Sequence, residues 1–175
     1  DNIYLFDASA RLDGSSKFGS DNKFAPFWSF GAGLNIHNYE FFRDLNVFDL
    51  LKVRASYGQV GKVNFASYDA KTTYRILTDQ WYKSGYGAVL YALGNKALTW
   101  ETTNTLDMGL EIGLFQQMIY LKGSYYIKRT VDCINSVTIP SHSGFTTYMD
   151  NIGEIENKGI EINLRSDIYR DKDIA

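Results

Sequence analysis

The chain has 175 residues, 15% of them aromatic, with 13 Tyr, 11 Phe, 15 Gly and only two Pro. A formal net charge of −2 gives no general attraction to nucleic acid, and the lone Cys133 excludes an internal disulfide. No apolar run reaches the roughly eighteen residues of a transmembrane helix, which leaves membrane crossing by strands open.

Taken in chain order, one pattern recurs. From Tyr4 to Leu12, the residues Tyr4, Phe6, Ala8, Ala10 and Leu12 alternate with Asp7, Ser9 and Arg11. A period of two is the mark of a strand with unlike faces. Asp13-Gly14 then signals a hairpin-type turn. From Pro26 to Ile36, Trp28, Phe30, Ala32, Leu34 and Ile36 oppose Ser29, Gly31, Gly33 and Asn35. The linker HNYEFFRDLN holds one helical turn or none. From Leu51 to Gly58, Leu51, Val53, Ala55 and Tyr57 oppose Lys52, Arg54, Ser56 and Gly58.

The stretch from Gln59 to about Leu98 is poorly patterned, with room for a short strand pair, and carries Trp81, Tyr82, Tyr86 and Tyr91. Alternation returns from Thr99 to Phe115. Trp100, Leu106, Met108, Leu110, Ile112 and Leu114 oppose Glu101, Thr103, Thr105, Asp107, Gly109, Glu111 and Gly113. That length exceeds the usual strand of about 5–6 residues, and Gly109 and Gly113 weigh against a helix. FQQM turns the chain sharply into Ile119–Arg129, where Ile119, Leu121, Tyr125 and Ile127 oppose Lys122, Ser124 and Lys128. A second long loop is expected over 135–156. Last, Ile160, Ile162, Leu164 and Ile168 oppose Glu161, Asn163, Arg165 and Asp167.

These elements predict an all-β chain of at least six strands. After the third strand the connections alternate long, very short and long. A soluble sandwich gives the same two-faced strands but no reason for long loops at one end. A transmembrane barrel gives that reason, with short periplasmic turns and long extracellular loops. On this reading Leu106, Leu110, Leu121 and Ile162 face lipid. Asp107, Glu111, Lys122 and Glu161 face a wet lumen. Trp100, Tyr57 and Tyr4 are expected near strand ends, in aromatic girdles. The start at Asp1 and the turn-like end YRDKDIA read as an internal piece of something longer, so missing targeting signals say nothing of location.

The candidate chemistry is sparse. Asp107 and Glu111 share a strand face at roughly 13–14 Å, beyond the roughly 5–9.5 Å of paired glycosidase carboxylates. Glu154 and Glu156 would lie about 7 Å apart, but at a loop edge. His37 and His142 are isolated, so neither metal nor cofactor is expected. GQVGK at Gly58–Lys62 lacks P-loop spacing, and the GAG at Gly31–Gly33 lacks a third glycine and a following helix. Cys133 has no nucleophile partner in view. No catalytic residue is expected. Trp81, Tyr82, Tyr86 and Tyr91 are the binding candidates, since aromatic faces stack on sugar rings or pack on peptides. The bland alternative is that they pack the loop itself.

ARLDGSSKFG, LLKVRASYGQVG, ALTWETTNTLDMGLEIGLF, YYIKRTVD and NIGEIENKGIEINL occur in that order. Together they resemble the barrel of the SusC/RagA family of TonB-dependent outer-membrane transporters, over nearly the whole chain. The resemblance implies an antiparallel up-and-down meander, a segment of a transmembrane β-barrel of about 22 strands. It also implies a cell outer-membrane location, a plug domain, a SusD-like lipoprotein lid and the TonB complex as partners. The implied function is uptake of oligosaccharides or peptides. Residues 1–175 are read as a partial barrel domain in which no plug domain, TonB box or signal peptide is recognised. It places the DGSS loop and the loops after Tyr57 and Cys133 outside the cell, and NYEFFRD and FQQM in the periplasm. The alternatives are a soluble secreted carbohydrate-binding β-sandwich and a passive porin.

Overall fold

The computed structural model describes residues 2–18, 22–43 and 47–167. Its ten strands are β1 (Tyr4–Gly14), β2 (Phe24–Asn35), β3 (Phe48–Lys62), β4 (Thr73–Tyr82), β5 (Gly85–Ala92), β6 (Glu101–Leu114), β7 (Ile119–Val131), β8 (Ile134–Thr138), β9 (Thr147–Asn151) and β10 (Ile155–Ser166). Six of them form one antiparallel sheet in the order β1-β2-β3-β6-β7-β10. The other four make two separate hairpins, β4-β5 and β8-β9. β1 and β10 are not paired with each other, so the sheet is open at both sides, as a part of a barrel must be.

The register turns sequence alternation into two continuous surfaces. Tyr4, Leu34, Val53, Leu110, Gly123 and Ile162 lie side by side across all six strands. So do Phe6, Ala32, Ala55, Met108, Tyr125 and Ile160, on the same face. The opposite face carries the rung Leu5, Gly33, Arg54, Gly109, Ser124 and Glu161. Leu106 and Leu121 take the apolar side with Leu110 and Ile162. Asp107, Glu111 and Lys122 take the polar side with Glu161. Phe6 and Ile162 are 72% and 73% exposed. A sandwich would bury this face against a second sheet. Among the described residues no second sheet covers it, as expected of a barrel wall whose outer face meets lipid.

Three connections, 15–23, 63–100 and 132–154, leave the sheet at one end. The other two, 36–47 and 115–118, sit at the opposite end. The 36–47 connection holds a short 3-10 turn, Ile36–Asn38, and the single-turn helix α1 (Glu40–Arg43). There the Tyr39 and Tyr4 hydroxyls meet at 2.8 Å.

Some expectations need correction. β3 continues to Lys62 rather than stopping at Gly58, pairing with β6 as far as Glu101, and the tip of the Phe27 ring from the neighbouring strand closes on Gly61. A Cβ at Gly61 would stand 1.9 Å from Phe27 Cζ. The expected loop over 135–156 contains the β8-β9 hairpin and the start of β10. The room left for a strand pair between 59 and 98 is filled by β4-β5. Ile168 lies outside the described residues.

Candidate functional site

The three connections at one end build a small core of their own. Phe18, Phe65, Ala70, Leu98 and Ile134 are buried together, with Val63, Trp100 and Met149 packed against them. The core draws on all three connections and on β9, so it fuses them into one platform above the sheet. Phe18 meets Phe65 edge-on at 5.0 Å and lies tilted against Trp100 at 5.1 Å. Trp100 also meets Phe27 at 5.6 Å and donates its indole N–H to Asn22 O at 3.0 Å. The expected girdle position of Trp100 is therefore wrong. It precedes the first residue of β6 and packs into the platform, where its N–H is satisfied. Tyr57 does remain on the apolar face, edge-on to Trp28 at 5.5 Å.

Polar side chains lock the platform. Asn22 donates to Leu98 O at 3.1 Å. Asn151 accepts from Thr99 N–H at 2.8 Å and donates to Thr99 O and Asp132 O at 3.0 and 2.8 Å. Asn95 donates to Met149 O and to Asp150 Oδ1, both at 3.0 Å. Glu101, 5% exposed, accepts the Ile134 N–H at 2.8 Å. Most of these bonds satisfy backbone groups of the connections, and the Asn95–Asp150 bond joins two side chains.

The four candidate aromatics all lie on the β4-β5 hairpin, but they separate. Trp81 and Tyr86 are cross-strand partners at its tip, with Tyr82 beside them, and all three are 60% exposed or more. Tyr91 stands near the base with Arg75 5.9 Å from its ring centre, a cation–π distance. It lines a cleft of about 390 Å³ between the two hairpins. Lys71, Asp69, Ser136, Thr147 and Tyr148 share that cleft. The Tyr148 hydroxyl bonds Asp150 Oδ2 at 3.0 Å, and this bond to a carboxylate holds its pKa above the usual phenol value. Sequence reading found Tyr91 and missed the cleft. The β-branched runs around Val137 and Thr147, separated by Ser143-Gly144, were the available hairpin signal.

On the polar face of the sheet, Arg54 Nη1 lies 2.9 Å from Asp107 Oδ1 and Arg54 Nε 3.9 Å from Glu111 Oε1. The first contact is an ion pair off the N–H direction rather than a hydrogen bond. Tyr120 donates to Glu111 Oε2 at 3.2 Å. One guanidinium thus serves two carboxylates, in the arrangement of a structural charge cluster. Glu154 and Glu156 do not act as a pair either. Glu154 takes two bonds from Arg129, which hold its carboxyl below the usual range, and Glu156 lies 3.8 Å from Lys158. His37 Nδ1 sits 3.4 Å from the Leu51 N–H. Among the described residues no three His, Cys, Asp or Glu side chains converge on a common point.

Comparison with known proteins agrees with this architecture. The TonB-dependent receptor P3 of Formosa agariphila is 36% identical over 167 residues, covering 93% of this chain and 16% of that protein. The TonB-dependent receptor SusC of Bacteroides thetaiotaomicron is 33% identical over 180 residues, covering 99% of this chain and 18% of SusC. The structure of the RagAB peptide importer in its open-open state superposes with a TM-score of 0.88 at 30% identity, over 99% of this chain and 19% of that one. The siderophore receptor PirA of Pseudomonas aeruginosa shares the fold alone, at a TM-score of 0.58 and 17% identity. The chain spans less than a fifth of the length of the curated relatives named here. Residues 1–172 match the family described as TonB dependent receptor-like, beta-barrel, and the chain belongs to that family as a segment of its barrel wall.

Proposed function

We propose that this chain forms part of the wall, and three of the extracellular loops, of an outer-membrane importer that takes up oligosaccharides or peptides. One observation carries the reading: a six-stranded sheet with a bare apolar face, a charged opposite face and a packed loop platform at one end only. Lipid would cover the face of Leu110 and Ile162. The face of Asp107, Glu111, Lys122 and Glu161 would line the water-filled lumen. No bond chemistry is assigned to the chain. Its work is to hold the wall and present the loops. In this reading Trp81, Tyr82, Tyr86 and Tyr91 contact substrate. A SusD-like lipoprotein serves as lid, and the TonB complex drives release through a plug.

Family membership supports a plugged, energy-driven receptor over a passive porin. The test is uptake by cells carrying the full-length protein, fed labelled oligosaccharide or peptide mixtures. Uptake that stops when TonB is deleted or the proton gradient is collapsed supports the reading. Uptake unaffected by either treatment would restore the passive porin.

A further inference from the structure

The cleft between the hairpins is bordered by consecutive residues, Tyr91 to Leu93 on one side and Thr146 to Met149 on the other. Successive strand residues point to opposite faces. A run of neighbours along one cleft therefore means that the strand turns its edge to it, not a face.

The phase of the β8-β9 ladder identifies what that edge offers. Ile152 N–H donates to Cys133 O at 2.9 Å at one end, and Ile139 N–H to Thr146 O at 2.9 Å at the other. Hydrogen-bonded couples alternate along an antiparallel ladder with couples whose backbone groups point away. Both ends set the same phase, so Asn135 with Asp150 and Val137 with Tyr148 bond across the ladder. Ser136 with Met149 and Thr138 with Thr147 do not, and they turn N–H and C=O outward. Two observed contacts follow that phase. Ile134 N–H on β8 reaches Glu101, and Met149 C=O on β9 receives the Asn95 amide. The second contact also places the free edge of β9 toward the β4-β5 side. Among the described residues, Thr147 N–H, Thr147 C=O and Met149 N–H have no partner and face the cleft.

Within the lining, Tyr148, Asp69 and Tyr91 already have partners in Asp150, the Ala66 N–H and Arg75. Among the described residues, no carboxylate lies within ion-pair distance of the Lys71 ammonium. Among the described residues, the hydroxyls of Ser136, Thr146 and Thr147 have no hydrogen-bond partner. The Asn95 bonds fix the floor, so the edge is held in place before any ligand arrives.

We propose that the free edge of β9 binds a short extended peptide as an added strand, with Lys71 taking a carboxylate of that peptide. The donor–acceptor–donor series from Thr147 to Met149 repeats at the spacing of a peptide backbone, which is how strand addition gains affinity without reading sequence. A sugar chain has no such series. Thr147 to Met149 spans about 7 Å, the length that about three ligand residues would pair with. The carboxylate is either the peptide C-terminus or an Asp or Glu side chain. This deepens the importer reading by naming its ligand class and one subsite.

The experiment uses the purified full-length protein and a fluorescent pool of pentapeptides built from Ser, Thr, Val and Glu. Saturable binding is expected, competed by unlabelled pool and not by malto-oligosaccharides. N-methylation of alternate backbone amides should weaken binding about fivefold or more in one register, since each lost strand bond costs a factor of that order. This arm leaves the protein untouched. Thr147→Pro removes an N–H that the ladder does not use and should weaken binding similarly, whereas Thr147→Val should not. Lys71→Gln should weaken binding of peptides with a carboxylate. C-terminal amidation against Glu→Gln exchange in the peptide tells which carboxylate Lys71 takes. No saturable binding, equal binding of N-methylated and parent peptides, or preference for the oligosaccharide would each overturn the proposal. If binding behaves as expected but uptake is independent of energy, only the importer reading fails. If uptake is energy-driven but N-methylation has no effect, only the edge site fails.

Discussion

The indole of Trp100 meets the ring of Phe27 edge-on at 5.6 Å, and the tip of the Phe27 ring in turn closes on Gly61. Through these two residues the polar face of the sheet is continuous with the platform that carries both hairpins. Truncating Trp100 removes the ring that bridges Phe18 and Phe27 and the N–H that holds Asn22. Trp100→Ala should destabilise the platform by about 3 kcal/mol, within the range for losing a large packed aromatic. Hydrogen exchange on the full-length protein should then rise in 63–100 and 132–154, while β3, β6 and β7 keep their protection. Equal loss of protection in platform and sheet would show that the two are one cooperative unit.

Two glycines should respond oppositely to the same change. A Cβ at Gly94 would lie 2.1 Å from the Lys71 carbonyl carbon, which is backbone and cannot swing aside. At Gly123 nothing lies within 4 Å. Gly94→Ala should cost about 1–3 kcal/mol through overpacking. Gly123→Ala should be neutral or stabilise β7 by about 0.5–1 kcal/mol. Comparing the protease sensitivity of the 63–100 segment in the two variants checks this. Equal sensitivity would mean that the close approach of Gly94 to Lys71 is absent in the folded protein.

Residues 1–175 expressed alone should not give a soluble monomer. The sheet keeps two open edges at β1 and β10, and its apolar face exposes Phe6, Ile160 and Ile162 above 70%. Open edges template further strand pairing, and an apolar surface of this extent drives association. Sedimentation of the isolated segment without detergent should give large, polydisperse species. A sharp monomer peak with cooperative unfolding would contradict the wall assignment.

The six wall strands and their two faces were legible because each carries one clean alternation. Reading failed where a residue serves a neighbour across the sheet. Gly58 and Gly61 look like the end of a strand until Ser29 and Phe27 are seen lying over them. Trp100 shares the parity of Leu106 and Leu110, yet it sits before β6 begins and packs with residues remote in sequence. The platform core joins Phe18, Phe65, Leu98, Ile134 and Met149. Their spacing carries no periodic signal, so no local pattern could have revealed it. The cleft was hidden for the same reason. Tyr91 stood out as an aromatic, while the β9 edge is a property of backbone phase and not of residue type.

The central claim is that the apolar face meets lipid and the charged face meets water. It is tested most directly by single-cysteine fluorescence on the full-length protein, in a Cys133→Ser background, reconstituted in bilayers. A bimane probe placed in turn at Leu106, Asp107, Leu110 and Glu111 walks along β6 across both faces. Quenching by nitroxide lipid is expected at positions 106 and 110, and quenching by aqueous iodide at 107 and 111. Assembly should follow the same alternation: Leu110→Arg should cost about 2–4 kcal/mol if the site is near mid-membrane, and Glu111→Arg far less. The reverse quenching pattern, or aqueous quenching at all four positions, would contradict the account.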